Sequence, residues 1–336
     1  MLCRREVSTS VIATPGLFDF VDSWRSAPVA DTLLIAAAVG YALLARRADS
    51  WPRRRSLAWS LSLVVASVVL NGPIAVYGDA LFWVHMIAHL SLIMVIPVLM
   101  VWAMPLTLLR SARWGGARRL ERTLDSRAVR LVTFPPLTLA AYAAVVVLTH
   151  LTGFQQFALE HPWVRTAEAA LYVAAGYLLF LPLVGEDMGS RRVPHLLRLV
   201  MLALAMGVDT LTGLALMLTR TVLAPGYAAA RPGWGPSGLT DQNVAGAVMW
   251  WGGDSLMMLL LVVVGFQWGR APSSEQGLGS LLEGVRRRTV LGTSAAAGIE
   301  TDADHLDVDD DQAALAAYNE RLAALEGRSL RNGGER

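Results

Sequence analysis

Seven apolar runs constrain this chain more than anything else in it. They lie near 28–45, 57–75, 81–108, 131–151, 165–184, 196–219 and 243–268. Runs of this length cross about 30 Å of hydrocarbon as helices, the first being short enough to need tilting or extension. In lipid the backbone must satisfy its own polar groups, which leaves helices or a closed barrel. The alternating apolar and polar pattern of barrel strands is absent. The expected fold class is therefore all-α: a polytopic membrane helical bundle with seven transmembrane helices. The charged fraction agrees, at 17% against about 25% in a soluble protein.

Orientation follows from the short loops, where basic residues collect on the cytoplasmic side. Every basic residue is Arg. Arg46, Arg47, Arg53, Arg54 and Arg55 follow the first run, and Arg110 to Arg130 supply seven more after the third. Arg191 and Arg192 follow the fifth, and Arg270 and Arg286 to Arg288 follow the seventh. The intervening loops hold almost none. The N-terminus is expected outside and the C-terminus in the cytoplasm. This divides the chain into an extracytoplasmic segment 1–27, a membrane domain 28–270 and a cytoplasmic tail 271–336. The tail carries "ETDADHLDVDDD" before "QAALAAYNERLAALEGR". Acids ahead of good helix formers suit a helix dipole, so a short helix is expected near 311–327.

The single cysteine, Cys3, permits no thiolate pair. Metal chemistry would have to use His, Met or carboxylate. No nucleophile–base set, phosphate loop or nucleotide motif occurs, and an enzyme is not expected.

Ionisable residues inside spans cost roughly 2.5–3.5 kcal/mol each on insertion scales and call for a reason. At about 1.5 Å per residue, His85 lies about 6 Å and His89 about 12 Å below the outer face of the third span. Their spacing of four puts them on one helix face. His150 ends the fourth span in "VVVLTH", and His161 and Glu168 flank the start of the fifth. Four of six histidines thus gather at the outer leaflet. Neutral imidazoles at i, i+4 chelate one ion, and thioethers would favour Cu(I). Met249 and Met217 lie on the right side, whereas Met86 is too near His85 in sequence to share its face. The alternatives are helix-to-helix hydrogen bonding by the histidines, a helix-start role for His161 and pairing of Glu168 with Arg165. Histidines on different helices also admit a b-type haem, with His89 and His150 as axial ligands.

A second polar layer lies near the midplane. Asp209 in "AMGVDTLTG" and Asp254 in "MWWGGDSLMM" both fall about 15 Å from the outer face. They would share a proton or cation, as in an ion-relay transporter, or else support helix contacts. Asp241 and Gln242 open the seventh span, with Asp241 in an N-cap position.

These residues resemble a known family. "FWVHMIAHLSLIMVIPVLMVWAMPLTLLR", "LTHLTGFQQFALEHPWVRTAEAALYVAAGYLLFLPLVGED" and "APGYAAARPGWGPSGLTDQNVAGAVMWWGGD" are similar to the seven-helix CtaG-type cytochrome c oxidase assembly factors associated with caa-type oxidases. The likeness spans roughly residues 30–270. It implies a factor in the bacterial plasma membrane that helps assemble haem-copper oxidase, with copper as ligand. The implied partners are the oxidase catalytic subunit or other assembly factors within the lipid bilayer, and no nucleic acid. In family terms, His85, His89, His150, His161, Asp241 and Gln242 match motif positions. Two further histidines that often occur on the family's fifth span are replaced here by Arg165 and Ala169, with Glu168 kept.

Overall fold

The computed structural model describes residues 14, 16, 22–48, 50–112, 122–124, 126–185 and 193–270. The chain divides into two compact units, 1–266 and 267–336, and the helical bundle belongs to the first. The tail helix expected near 311–327 and the acidic run before it lie outside the described residues.

Among the described residues every regular element is helical. The order is α1 (Pro28–Arg47), α2 (Arg53–Asn71), α3 (Pro73–Tyr77), α4 (Phe82–Leu90), a π turn (Ser91–Val95), α5 (Ile96–Ala103), α6 (Pro105–Ser111), α7 (Arg127–Val132), α8 (Pro135–His150), α9 (Phe154–Glu160), α10 (Pro162–Val184), α11 (His195–Leu218), α12 (Gly226–Ala229) and α13 (Gly238–Gly269). Six spans are long and apolar enough to cross a membrane, and a seventh counts if the bent pair α8 and α9 is taken as one. The multi-pass helical fold is as expected, but the fourth span differs. Pro135 and Pro136 delay its start, since the residue before proline avoids the helical region, and Phe134 is extended. The helix then stops at His150, and α9 leaves at 71°. Thr152 supports the corner by accepting the Phe154 N–H at 3.2 Å.

The third span is one 30-residue stretch, Phe82–Ser111, with two irregularities. Pro97 has no N–H to give the Ile93 carbonyl four residues back. The ladder adapts by widening, and the Ile96 N–H reaches Ser91 O. Such π turns frequently mark functional sites, and this one begins two residues after His89. Gly176 of α10 fills the gap. A Cβ there would stand 1.8 Å from Ile93 O. Farther on, Met104 takes a left-handed conformation, with φ 52°, just ahead of Pro105.

The core lies around this π turn. Leu92, Ile93, Tyr142, Tyr172, Leu179, Phe180, Leu202 and Met257 are among its buried members. Helix α1 is peripheral and buries only Tyr41. It is tied at one end by Tyr41 Oη donating to Ala103 O at 2.9 Å and at the other by Asn71 donating to Asp31 at 2.6 Å. A groove of about 1050 Å³ separates α1 and α2 from α10, and the third span forms part of its lining.

Candidate metal centre

The start of α4, the end of α8 and the start of α10 meet at one end of the bundle. That is how His85, His89, His150 and Glu168 come together from three spans. His85, His89 and Glu168 each offer a ligand atom, all within 4.8 Å of one another, and all three residues are buried. The i, i+4 spacing does bring the two imidazoles together, edge to face, with ring centroids 4.1 Å apart.

The hydrogen bonds fix which ring nitrogens carry protons, an assignment made by the network. His150 Nδ1 lies 2.7 Å from Val146 O. A carbonyl only accepts, so Nδ1 carries the proton and Nε2 is an acceptor. His89 Nδ1, at 3.0 Å from that Nε2, must therefore donate. The remaining nitrogen of His89, Nε2, lies 3.3 Å from Glu168 Oε1 and has no well-aligned hydrogen-bond partner among the described residues. In a neutral ring it is a lone pair facing a carboxylate. The pair needs one cation between its members: a shared proton, or a metal ion.

His85 is differently engaged. Arg165 Nη2 donates to its Nδ1 at 2.8 Å. Its Nε2 then carries the proton and donates to Gln155 Oε1 at 3.0 Å. Gln155 Nε2 in turn donates to Glu168 Oε1 at 2.8 Å. Arg165 also donates to Gly78 O at 3.2 Å and pairs with Asp79, which Arg25 shares. The Tyr227 ring lies 5.6 Å from His85. Its hydroxyl has no hydrogen-bond partner among the described residues, and burial pushes its pKa up, keeping it a proton donor.

Other residues expected at the site are placed elsewhere. His161 is outside the cluster: its ring packs on Phe157 at 4.2 Å and its Nδ1 donates to Phe157 O at 2.9 Å. His150 supports His89 rather than facing the site. Asp241 is fully committed to structure. It accepts the Phe82 and Trp83 N–H groups at 3.0 and 3.1 Å, capping α4 from another helix. Arg231 donates to it at 2.9 Å. Gln242 clamps the chain before α12, accepting from Leu223 N–H at 2.9 Å. Asp209 accepts from Tyr142 at 3.0 and 2.9 Å, and Asp254 from Thr210 at 2.8 and 2.9 Å. The two aspartates therefore have separate hydroxyl donors.

Met86 does not share a cavity with His85, but it does share one with His89. With Met249, His89, His150, Tyr172 and Asp209 it lines a small cavity of about 10 Å³ below the histidines, the size of about one water. Sequence spacing relates Met86 only to His85 and misses this cavity shared with His89. The sequence marks Arg165 as a cation close to the site but not as a partner of His85. It does not single out Gln155 and Asp79 at all. Their only signal is that they flank spans in "TGFQQF" and "YGDALF".

Both main donor types fit a borderline divalent cation. Imidazole with carboxylate suits Cu(II) or Zn(II), whereas Cu(I) prefers sulfur. The orphaned His89 nitrogen is the atom such an ion would take. A bis-histidine haem fits less well, because His89 and His150 are hydrogen-bonded to each other.

Comparison with known proteins agrees with the motifs. Uncharacterised proteins of Mycobacterium bovis and Mycobacterium tuberculosis are each 31% identical over 247 residues, covering 71% of this chain and 37% of the relative. One from Mycobacterium leprae is 26% identical over 269 residues, covering 76% and 41%. The chain thus spans less than half the length of these relatives. No solved structure matches. Residues 37–271 match the model of one family, and on that match the chain belongs to the cytochrome c oxidase caa3 assembly factors.

Proposed function

We propose that this chain helps assemble a haem-copper oxidase in the bacterial plasma membrane by holding copper, as cargo, between His89 and Glu168. The observation that carries the reading is the orphaned His89 Nε2, facing Glu168 Oε1 at 3.3 Å with no donor between them. Buried polar atoms in native structures nearly always have partners. A buried imidazole and carboxylate left one cation short are what a cation-binding site requires. The Arg distribution favours an outward-facing position for this end of the bundle, where copper would be received. The role is non-catalytic: the chain binds and presents. Its expected partner is the oxidase catalytic subunit or another assembly factor.

The test is copper titration of the purified protein beside the His89→Ala and Glu168→Gln variants. Loss of binding in both is expected. Equal binding by all three proteins would overturn the reading. Supply of haem during expression gives a second check, since a Soret band would favour haem ligation instead.

A further inference from the structure

We infer that Arg165 is a positioning residue that decides whether His85 joins the metal site. The inference rests on copper binding between His89 and Glu168. Both nitrogens of His85 are occupied, and Arg165 is the reason. Its Nη2–H points at His85 Nδ1 from 2.8 Å. A guanidinium cannot give up its proton and has no acceptor. His85 Nδ1 is therefore held as the acceptor, and the ring proton is forced onto Nε2, where it is spent on Gln155. To ligate through Nε2, His85 must move that proton to Nδ1, and this requires the Arg165 N–H to leave. To ligate through Nδ1, it must displace the same N–H. With Arg165 in place the site has two ligands, His89 and Glu168. With Arg165 withdrawn it has three.

The surroundings allow withdrawal. The Arg165 side chain is 21% exposed and Asp79 28%, so both reach the groove mouth rather than lying sealed in the core. Arg165 already pairs with Asp79 through Nη1 while Nη2 holds His85 and Gly78 O. Swinging Nη2 off His85 keeps the ion pair and exchanges only hydrogen bonds to neutral acceptors. Arg25 competes for the same carboxylate and so weakens the pull that would draw Arg165 away. The guanidinium also brings its own positive charge to the ring a metal ion would approach. A cargo site with a resident cation on one ligand binds more weakly than its ligand set suggests, which suits release as well as capture.

The experiment uses the full chain in detergent with Cu(II), read by competition with a chelator and by electron paramagnetic resonance. Pulsed spectra count the imidazoles bound to Cu(II). Wild type should show one. Arg165→Gln should bind roughly tenfold tighter, in the range seen for residues that orient metal ligands, and show two. Adding His85→Ala to Arg165→Gln should erase the gain and return the count to one imidazole. Asp79→Asn should leave Arg165 on His85, with one imidazole and affinity no higher than wild type. Arg165→Gln and Asp79→Asn thus differ in both imidazole count and affinity, so an effect common to any loosening of the fold is ruled out. Unchanged or weaker binding by Arg165→Gln, with one imidazole, would overturn the latch while leaving the His89–Glu168 site intact. Absence of copper binding in wild type and all variants would overturn both readings.

Discussion

Two buried carboxylates stand near the start of the third span, and they are opposites. Asp241 is complete: two backbone N–H groups of α4 and one Arg231 N–H converge on it. Every nitrogen of Arg231 is engaged as well, with Nε on the Ala80 carbonyl and Nη1 on those of Trp234 and Pro236. Glu168 accepts from Gln155 but faces a histidine nitrogen with no partner. The first cluster closes the entry of the span. The second leaves one charge unmet. The chemistry of the bases sharpens the contrast. Arg231 cannot discharge, so its carboxylate is obligatory. His89 can exist neutral, so its carboxylate is not needed for the fold. On the proposed reading, complete satisfaction goes with the structural group and incompleteness with the metal-binding one.

The largest effect should come from breaking the complete cluster. Asp241→Ala leaves a buried guanidinium unpaired and strips two N–H groups of α4. Removing one member of a buried pair costs about 3–5 kcal/mol, and the lost cap adds to it. Thermal or denaturant unfolding in detergent should show the loss directly. A variant as stable as wild type would dissolve the distinction between the clusters.

Gly176→Ala should come next. Its new methyl would overlap Ile93 O, which the π turn leaves turned toward α10. Overpacking of this kind costs about 1–3 kcal/mol. Because the π turn begins two residues after His89, the variant should also loosen copper binding. Lost stability with unaltered copper affinity would separate the turn from the site above it.

One side of this contrast is legible in the sequence and the other is not. Apolar length announces the spans, and ionisable residues within them single out His85, His89 and Glu168. Those residues stand out because lipid makes them expensive wherever they point. Asp79 and Gln155 sit at span ends, where polar residues are ordinary, so nothing in the chain order sets them apart, and Arg165 stands out as a nearby cation but not as the partner of His85. Asp241 has the local signal of a cap for its own helix. That it caps α4 instead depends on how two spans pack that bring together residues 158 apart in sequence. Pro135 and Pro136 signal the late start of the fourth span, but apolar residues on both sides of the corner after His150 hide its break. His161 has the right residue type and neighbourhood, yet a backbone carbonyl four residues back claims its ring.

Glu168→Gln should have the smallest effect on stability and is the sharpest test of the comparison. The substitution removes a buried charge and preserves shape. The new amide would still offer an oxygen to Gln155, and its nitrogen can donate where the carboxylate could not. His89, now beside a neutral group, needs no proton to balance a carboxylate. A buried carboxylate without a paired cation is costly, and a neutral amide of the same shape removes that cost. Unfolding should therefore be unchanged or shifted to higher temperature, while copper binding is lost. That pattern, stability kept and binding gone, is the reverse of the one expected from Asp241→Ala. If Glu168→Gln instead unfolds as readily as Asp241→Ala, the histidine cluster is a structural network like its neighbour. The unpaired nitrogen of His89 would then be met by a proton shared with Glu168 and not by a metal.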